Sequence, residues 1–337
     1  MGMIAHAPLL VLMRRWPVTG VALALCFALV ACAPRERELH LSGKTMGTTW
    51  HATVVLNGAQ ISENDLRSML QHRLDELDTD FTHWRTQCPV TLFNDSHSTD
   101  WQAEPRELVE LVIFAQTLSR ASDGAFDVTI APLVDLWGFG AKGHVTQPPS
   151  KEAIAEAKKH VDWHKLEARL DPPALRKLDP EIQINVAAMA DGYAVDELAR
   201  IMKSRGVTHF LIEVGGAVYA GETNAVDQPW QVGIQHPSGR EGDNAAAVPL
   251  KNQAISTSGV YRQFFQSDGK RYAHILDART GRPVEHDLVS VSVIAPTAFA
   301  ADGWDTTLLI LGPERGRALA AERQLPAYFL AEPAVPR

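Results

Sequence analysis

The sequence predicts an α+β fold. Strand-like and helix-like stretches are mixed without a regular βαβ succession, and Gly- or Pro-marked turns separate several short strands between residues 230 and 295. At 337 residues the chain suits one large domain or two closely joined ones. With 45% apolar and 21% charged residues it can bury a core without disulfide staples. The formal charge is −8, and the first 31 residues hold only Arg14 and Arg15 as charged groups, so the body is more acidic still. An acidic body excludes general nucleic-acid binding, which needs basic surface to neutralise phosphates, and a polybasic membrane patch.

The N-terminus predicts the compartment. Arg14-Arg15 is followed by an apolar run, Val18 to Val30, and then by Leu29-Val30-Ala31-Cys32. A basic start, an apolar stretch and small residues describe an export signal over residues 1–31. The run is short for a transmembrane helix, and Pro17 breaks its start. Leu-Val-Ala-Cys resembles the lipobox of bacterial lipoproteins, in which the cysteine is lipidated and becomes the new N-terminus; the alternative is an ordinary signal peptide with a coincidental cysteine. The lipobox reading expects lipidation at Cys32, a polar tether over residues 32–42, a catalytic domain over 43–337, and a chain lipid-anchored to the inner membrane, facing the periplasm. Cys88 would then be the only free thiol of the mature chain, which excludes an internal disulfide.

A strand is predicted over residues 44–56, with a Met-Gly-Thr turn near its start. Ile61, Leu66, Met69, Leu70, Leu74 and Leu77 recur at helical spacing, and Ser62 with Asp65 is placed like a capping box. Residues 81–102 lack a clear period. A second helix runs from about Glu104 to Arg120, with Pro105 in its first turn, and Ser150 opens a short Ala-rich helix. Ile182 to Val186 reads as a strand leading into a helix carrying Tyr193, Val195, Leu198, Ile201 and Met202. His209 to Val214 is a strand that turns at Gly215-Gly216, and the last helix starts near Asp302.

Two patterns mislead. Gly138, Gly140 and Gly143 spell G-x-G-x-x-G, but Pro148-Pro149 follows where a dinucleotide fold needs a helix. His160 and His164 are four apart without the glutamate of H-E-x-x-H, and read as two histidines at a frayed helix end.

The chemistry is concentrated in three segments. In Ala301-Asp302-Gly303-Trp304-Asp305-Thr306, helical spacing puts two carboxylates and a hydroxyl on one edge of an opening turn. Such hard oxygen ligands suit Mg²⁺, while an Asp before an apolar helix is more readily explained as an N-cap. In Asn185 to Asp196, small residues precede a helix whose N–H groups can face an anion; tight packing explains the same residues. The third segment holds Ser256-Thr257-Ser258-Gly259, a hydroxyl run able to bind phosphate, and His274, able to take a proton.

Together with Thr45-Met46-Gly47-Thr48, Gly124 to Thr129, Gly215-Gly216, His274 to Asp277 and Thr280-Gly281-Arg282-Pro283, these segments resemble the ApbE-type FAD:protein FMN transferase family, from about Lys44 to Leu330. The resemblance implies a two-lobed α+β fold, related to the T-fold, with an FAD cleft between the lobes. It implies that Met46, Trp84, Ala125, Phe126, Asp127, Asn185, Asp191 and Leu276 lie against FAD. It implies that Asp302, Asp305, Thr306 and the carbonyl of Ala188 hold Mg²⁺, and that His274 is the catalytic base. The implied reaction attaches FMN from FAD to a Thr or Ser of an acceptor flavoprotein subunit of a sodium-pumping or Rnf-type electron-transfer complex, releasing AMP. Hydrolysis of FAD to FMN and AMP, or storage of flavin by a periplasmic lipoprotein, are the alternatives. This chain departs from the family at Asn185, where members often have Asp, at Asp191, where they often have Lys or Glu, and around Trp84-Arg85, where Cys88 and Leu92 replace a Ser and a second Arg.

Overall fold

The large sheet grows from one hairpin. In the computed structural model, which describes residues 38–81, 87–141, 143–236 and 244–331, strands β1 (Glu38–Thr45) and β2 (Thr48–Val55) pair antiparallel from Glu38 opposite Val55 to Thr45 opposite Thr48. The two-residue loop is Met46-Gly47, both at positive φ (43° and 76°), the combination that matches strand twist in tight hairpins. Leu39 and Leu41 alternate inward from Glu38, His40 and Ser42. The expected tether over 32–42 therefore ends early: its last five residues are already strand. Cys32 and the rest of the segment over 1–37 lie outside the described residues.

In chain order there follow α1 (Glu63–Phe81), α2 (Pro89–Asp95), β3 (Gln102–Ala103), α3 (Arg106–Ala121), α4 (Ala131–Leu136), α5 (Lys151–Lys158), β4 (Leu166–Leu170), β5 (Pro173–Lys177) and α6 (Ala187–Ser204). The remainder is β6 (His209–Val214), β7 (Ala217–Ala220), β8 (Trp230–Gln235), β9 (Asn244–Leu250), β10 (Gln253–Gly259), β11 (Phe264–Ser267), β12 (Lys270–Ala273), β13 (Leu276–Asp277), β14 (Arg282–Pro283), β15 (Leu288–Ala295), α7 (Ala298–Glu322) and β16 (Ala327–Ala331). The main sheet is antiparallel throughout, in the order β1-β2-β6-β7-β10-β15-β16.

One face of this sheet carries the helices. α7 packs on β10 and β15, α6 on α7 and on β6 and β7, and α1 on α6, around a core that includes Trp50, Phe210, Leu198, Leu74 and Leu308. The β8–β9 ribbon covers part of the other face, where Trp230, Ile234 and Leu250 meet Val55 and Ile255. A smaller lobe holds α3, α4, α5 and the β3-β5-β4 sheet, with Trp137, Ile154 and Leu276 clustered at its junction. α7 breaks at Gly312-Pro313, where Gly312 adopts φ 77° and Pro313 withholds its N–H.

The caps read from sequence are made. Ser62 Oγ accepts from the Asp65 N–H (3.1 Å) and donates to Asp65 Oδ2 (2.7 Å), and Ser150 Oγ accepts from the Ala153 N–H (3.1 Å). His160 and His164 share no helix: α5 ends at Lys158, and His164 pairs with Asp162 Oδ1 (2.8 Å). Residues 182–186 form no strand. The Asn94 side chain does the work of a strand partner: its Nδ2 donates to the Ile184 carbonyl (2.9 Å) and its Oδ1 accepts from the Ile184 N–H (2.7 Å). The Asn185 N–H donates to the Val128 carbonyl (2.8 Å). Extended backbone with buried Ile182, Ile184 and Val186 has a strand's pattern whoever supplies the hydrogen bonds. Asn94→Ala leaves both Ile184 groups unpaired, and each such group costs about 1–3 kcal/mol; urea denaturation should show a loss of at least about 2 kcal/mol without a change in m.

Candidate active site

A cleft of about 880 Å³ opens between the two lobes, within the range of roughly 300–1,000 Å³ usual for small-molecule sites. Its walls come from the β1–β2 turn, the end of α1, residues 126–130, Phe139 and His144, the start of α6, the 262–264 and 274–276 segments, and Thr306 and Ile310 of α7. Met46 reaches the cleft from the left-handed turn, a conformation that costs a non-glycine residue about 1–2 kcal/mol and clusters at functional sites.

The carboxylates at the base come from α7. The helix begins four residues before Asp302, at Ala298, with Thr297 Oγ1 accepting from the Ala300 N–H (3.2 Å). Asp302 is therefore not an N-cap, and the opening-turn placement read from sequence is corrected. Asp196 of α6 holds the orphan N–H groups of Ala298 and Phe299 at 2.9 Å each. Asp302 Oδ2 accepts from the Gly192 N–H (2.9 Å), and its Oδ1 from Ser256 Oγ (3.0 Å). Gly192 is required there, because a Cβ would stand 2.4 Å from the Ala298 carbonyl oxygen and 2.7 Å from Asp302 Cβ.

Asp305 is fully buried, and neither carboxylate oxygen makes a well-formed hydrogen bond, although the Ser256 hydroxyl and the Thr306 hydroxyl and N–H lie near enough to favour its charged form. Burial, then the neighbouring Asp302 charge, pushes its carboxyl well above the usual range. Asp302 and Asp191 are raised too, by burial first, and burial takes Asp196 up to about 6. Thr306 Oγ1 donates to Ser258 Oγ (3.1 Å) and lines the cleft. Ser256 thus spends its hydroxyl on α7, and Thr257 pairs with Ser292 (2.7 Å); of the hydroxyl run, Ser258 lines the cleft and accepts from Thr306, which leaves its O–H to donate.

An ionised carboxylate buried without well-formed hydrogen bonds costs several kcal/mol, and a cation would relieve it. Among the described residues no three His, Cys, Asp or Glu side chains converge on a metal position. A cation would thus rely on Asp302, Asp305, the Thr306 hydroxyl and backbone oxygen. Ala188, in the first turn of α6, lines the cleft, and the N–H four residues on, that of Gly192, is engaged by Asp302. Mg²⁺ suits this set, because it binds through one or two carboxylates and completes its shell with water and phosphate oxygens.

His274 lines the cleft. Its Nδ1 lies 3.1 Å from the Gln263 carbonyl, an acceptor only, so Nδ1 carries the proton and Nε2 keeps a lone pair. Burial lowers its pKa. Asn185 Oδ1 accepts from the Ala187 N–H (2.9 Å), which leaves its NH₂ group for a ligand. Phe126, Asp127, Asp191 and Leu276 line the cleft. Ala125 sits behind it, fully buried, its carbonyl accepting from the Ala278 N–H (3.1 Å). Trp84 falls outside the described residues. Sequence reasoning placed Arg262 in the third segment without a role; its Nη1 donates to the Gly215 carbonyl (2.5 Å) at the cleft wall. It missed the anchoring role of Asp196, which no local motif announces.

Fold and site together define an α+β protein with a ligand cleft set over a buried carboxylate pair. The chain belongs to the ApbE family, whose model matches residues 46–329. It is 37% identical over 320 residues to the FAD:protein FMN transferase of Salmonella typhimurium, covering 92% of this chain and 91% of that one. It is 36% identical over 319 residues to that of Klebsiella pneumoniae, covering 91% and 90%. Among solved structures it resembles the flavin transferase ApbE from Vibrio cholerae (TM-score 0.82, 30% identity, 89% and 95% covered) and the apo form of the Pseudomonas stutzeri flavinyl transferase ApbE (TM-score 0.81, 34% identity, 89% and 92% covered).

These raised carboxyls give the fold a readable pH signature. Each holds its proton to a higher pH folded than unfolded, so stability falls as pH rises from about 3.8 through the folded value. Asp305→Asn removes the largest such burden. In cation-free buffer the variant should gain melting temperature relative to the parent between pH 5 and pH 8. Adding Mg²⁺ at pH 8 should raise the melting temperature of the parent and not of the variant.

Proposed function

We propose that this chain is a Mg²⁺-dependent flavin transferase, which moves FMN from FAD onto a Thr or Ser hydroxyl of another protein and releases AMP. The observation that carries the reading is Asp305, a fully buried carboxylate without a well-formed hydrogen bond, one helical turn from Asp302 and beside cleft-lining Thr306. The names of the relatives and of the solved structures above support the same reaction.

On this reading Met46, Phe126 and Leu276 pack against FAD, the Asn185 amide donates to it, and Trp84 adds an aromatic face worth roughly 0.5–1.5 kcal/mol beyond area burial. Asp302, Asp305, Thr306 and the Ala188 carbonyl would hold Mg²⁺. Once bound, the cation offsets negative charge on the phosphates. The acceptor oxygen forms a bond to the FMN phosphorus while the bond from that phosphorus to the bridging oxygen breaks, and its electron pair leaves with AMP. Nε2 of His274 takes the hydroxyl proton. The Gln263 carbonyl fixes the tautomer that makes this possible.

Lipidation at Cys32 would hold the enzyme on the periplasmic face of the inner membrane, beside acceptor flavoprotein subunits of sodium-pumping or Rnf-type complexes. No helix among the described residues is long and apolar enough to cross a membrane, and the anchor would supply attachment.

The test mixes the mature protein with FAD, Mg²⁺ and an acceptor subunit, and reads covalent FMN by mass spectrometry. Asp302→Ala and Asp305→Asn should each slow labelling on the order of 100-fold, as expected for lost metal charge. His274→Ala should lower kcat about 10²- to 10⁴-fold with FAD binding retained. Because burial lowers the imidazole pKa, the base stays neutral, and the rate should hold, to below pH 6.5. AMP released at full rate without acceptor would reassign the chain as an FAD pyrophosphatase. Absence of any FAD-dependent melting shift would overturn both readings.

A further inference from the structure

A second cavity, of about 1120 Å³, lies beside the small lobe, lined by Trp101 and Ser119 to Gly124 on one side and by Trp163 and β4 on the other. Its charge runs against that of the chain. The two acids that line it are already paired with arginines outside its lining: Asp123 with Arg315 (3.1 Å), and Glu167 with Arg176 (2.8 Å to Nε). Its two lining arginines, Arg120 and Arg169, have no carboxylate partner among the described residues. Each is exposed and held against a ring: Arg169 lies 4.3 Å from the Trp101 centroid, and Arg120 lies 5.4 Å from that of Trp163. A guanidinium stacked on an indole is fixed in orientation and keeps its in-plane N–H donors for an anion.

The cavity is joined to the cleft by one segment. Gly124 lines the cavity, while Phe126 and Asp127 line the cleft. Asp127 Oδ2 accepts from the N–H of Trp163 (3.0 Å). Whatever occupies the cavity therefore sits against the wall of the cleft. Its volume exceeds the roughly 300–1,000 Å³ of ordinary small-ligand sites and suits several residues of chain.

We propose that this cavity receives an acidic segment of the protein substrate, docking it on Arg120 and Arg169 while a hydroxyl elsewhere on that protein enters the cleft. The partner's identity as a substrate rests on the transferase reading; the cavity's preference for an acidic peptide does not.

The experiment uses the mature chain and two short fluorescent peptides, one Thr flanked by Asp and Glu, and its counterpart with Lys and Arg in their place. The acidic peptide should bind saturably, with FAD present or absent, and the basic one should not. Arg120→Glu with Arg169→Glu should weaken binding at least about tenfold, as lost charge contacts predict. Arg120→Gln with Arg169→Gln should fall between, which guards against a misfolded double variant. FAD-dependent melting shifts should stay as in the parent. Where flavin transfer to the acidic peptide or an acceptor subunit is measurable, KM should rise with kcat unchanged. Equal binding of both peptides, or parental affinity in the charge-reversed variant, overturns the proposal. So does loss of binding to phosphatidylglycerol vesicles with peptide binding intact, which would give the cavity to lipid. Arginine-dependent peptide binding without any flavin transfer upholds the cavity and sinks the transferase reading instead.

Discussion

Everything at the base of the cleft depends on how α6 grips α7. Two carboxylates on adjacent turns of a buried helix repel each other and lose their hydration. The chain accepts this because α6 supplies two kinds of tie. Its Asp196 caps Ala298 and Phe299, and its Gly192 N–H reaches Asp302. The second tie needs contact so close that any side chain at position 192 would strike the Ala298 carbonyl. β10 adds Ser256 and Ser258 from the sheet side. Asp302 is thus fully braced, whereas Asp305, three residues on, makes no well-formed hydrogen bond. Core packing alone would not leave a carboxylate in that condition, which is why it is the strongest pointer to a cation.

The small lobe meets the sheet lobe through α3, whose Phe114 and Leu118 pack on α7, and through a few hydrogen-bonded points that border the cleft. Val128 accepts from Asn185, Ala125 accepts from Ala278, and the Trp137 indole donates to the Gly281 carbonyl (2.8 Å). The first two lie beside residues that face the cleft, Asp127 with Asn185 and Phe126, so these joints also aim lining side chains. The Met46 turn works in the same way: a hairpin that needs two positive φ angles places a long flexible side chain where a glycine or asparagine would be easier.

The sequence made the elements with local causes legible. Alternation marked the strands, and Ser62 and Ser150 marked two helix starts. Elements with distant causes were not. Residues 182–186 have a strand's burial pattern, and only Asn94, ninety positions away, decides that they join no sheet. The start of α7 was misplaced because Asp302 satisfies every local rule for an N-cap, while its true partners are Gly192 and Ser256. The hydroxyl run was legible only in part for a related reason: Ser258 reaches the cleft, while Ser256 and Thr257 are engaged elsewhere. Sequence reveals which residues carry oxygen atoms and not which of those atoms are already spent on each other. Grouping the three segments into one site came from the family resemblance; residue chemistry alone favoured the N-cap over the metal ligand.

Asp127 shows how far a resemblance can run ahead of geometry. It lines the cleft, yet its Oδ1 accepts from both the N–H (2.8 Å) and the hydroxyl (2.7 Å) of Thr129, and its Oδ2 accepts from Trp163. A carboxylate offers about four lone-pair sites, so three are taken before any ligand arrives. Burial raises its pKa, and those three donors offset that only in part. Its main effect on a flavin would then be indirect, through the backbone of residues 125–129 that it folds into place. The same carboxylate holds Trp163, and with it one wall of the second cavity. A residue named for one site is, physically, the partition between two.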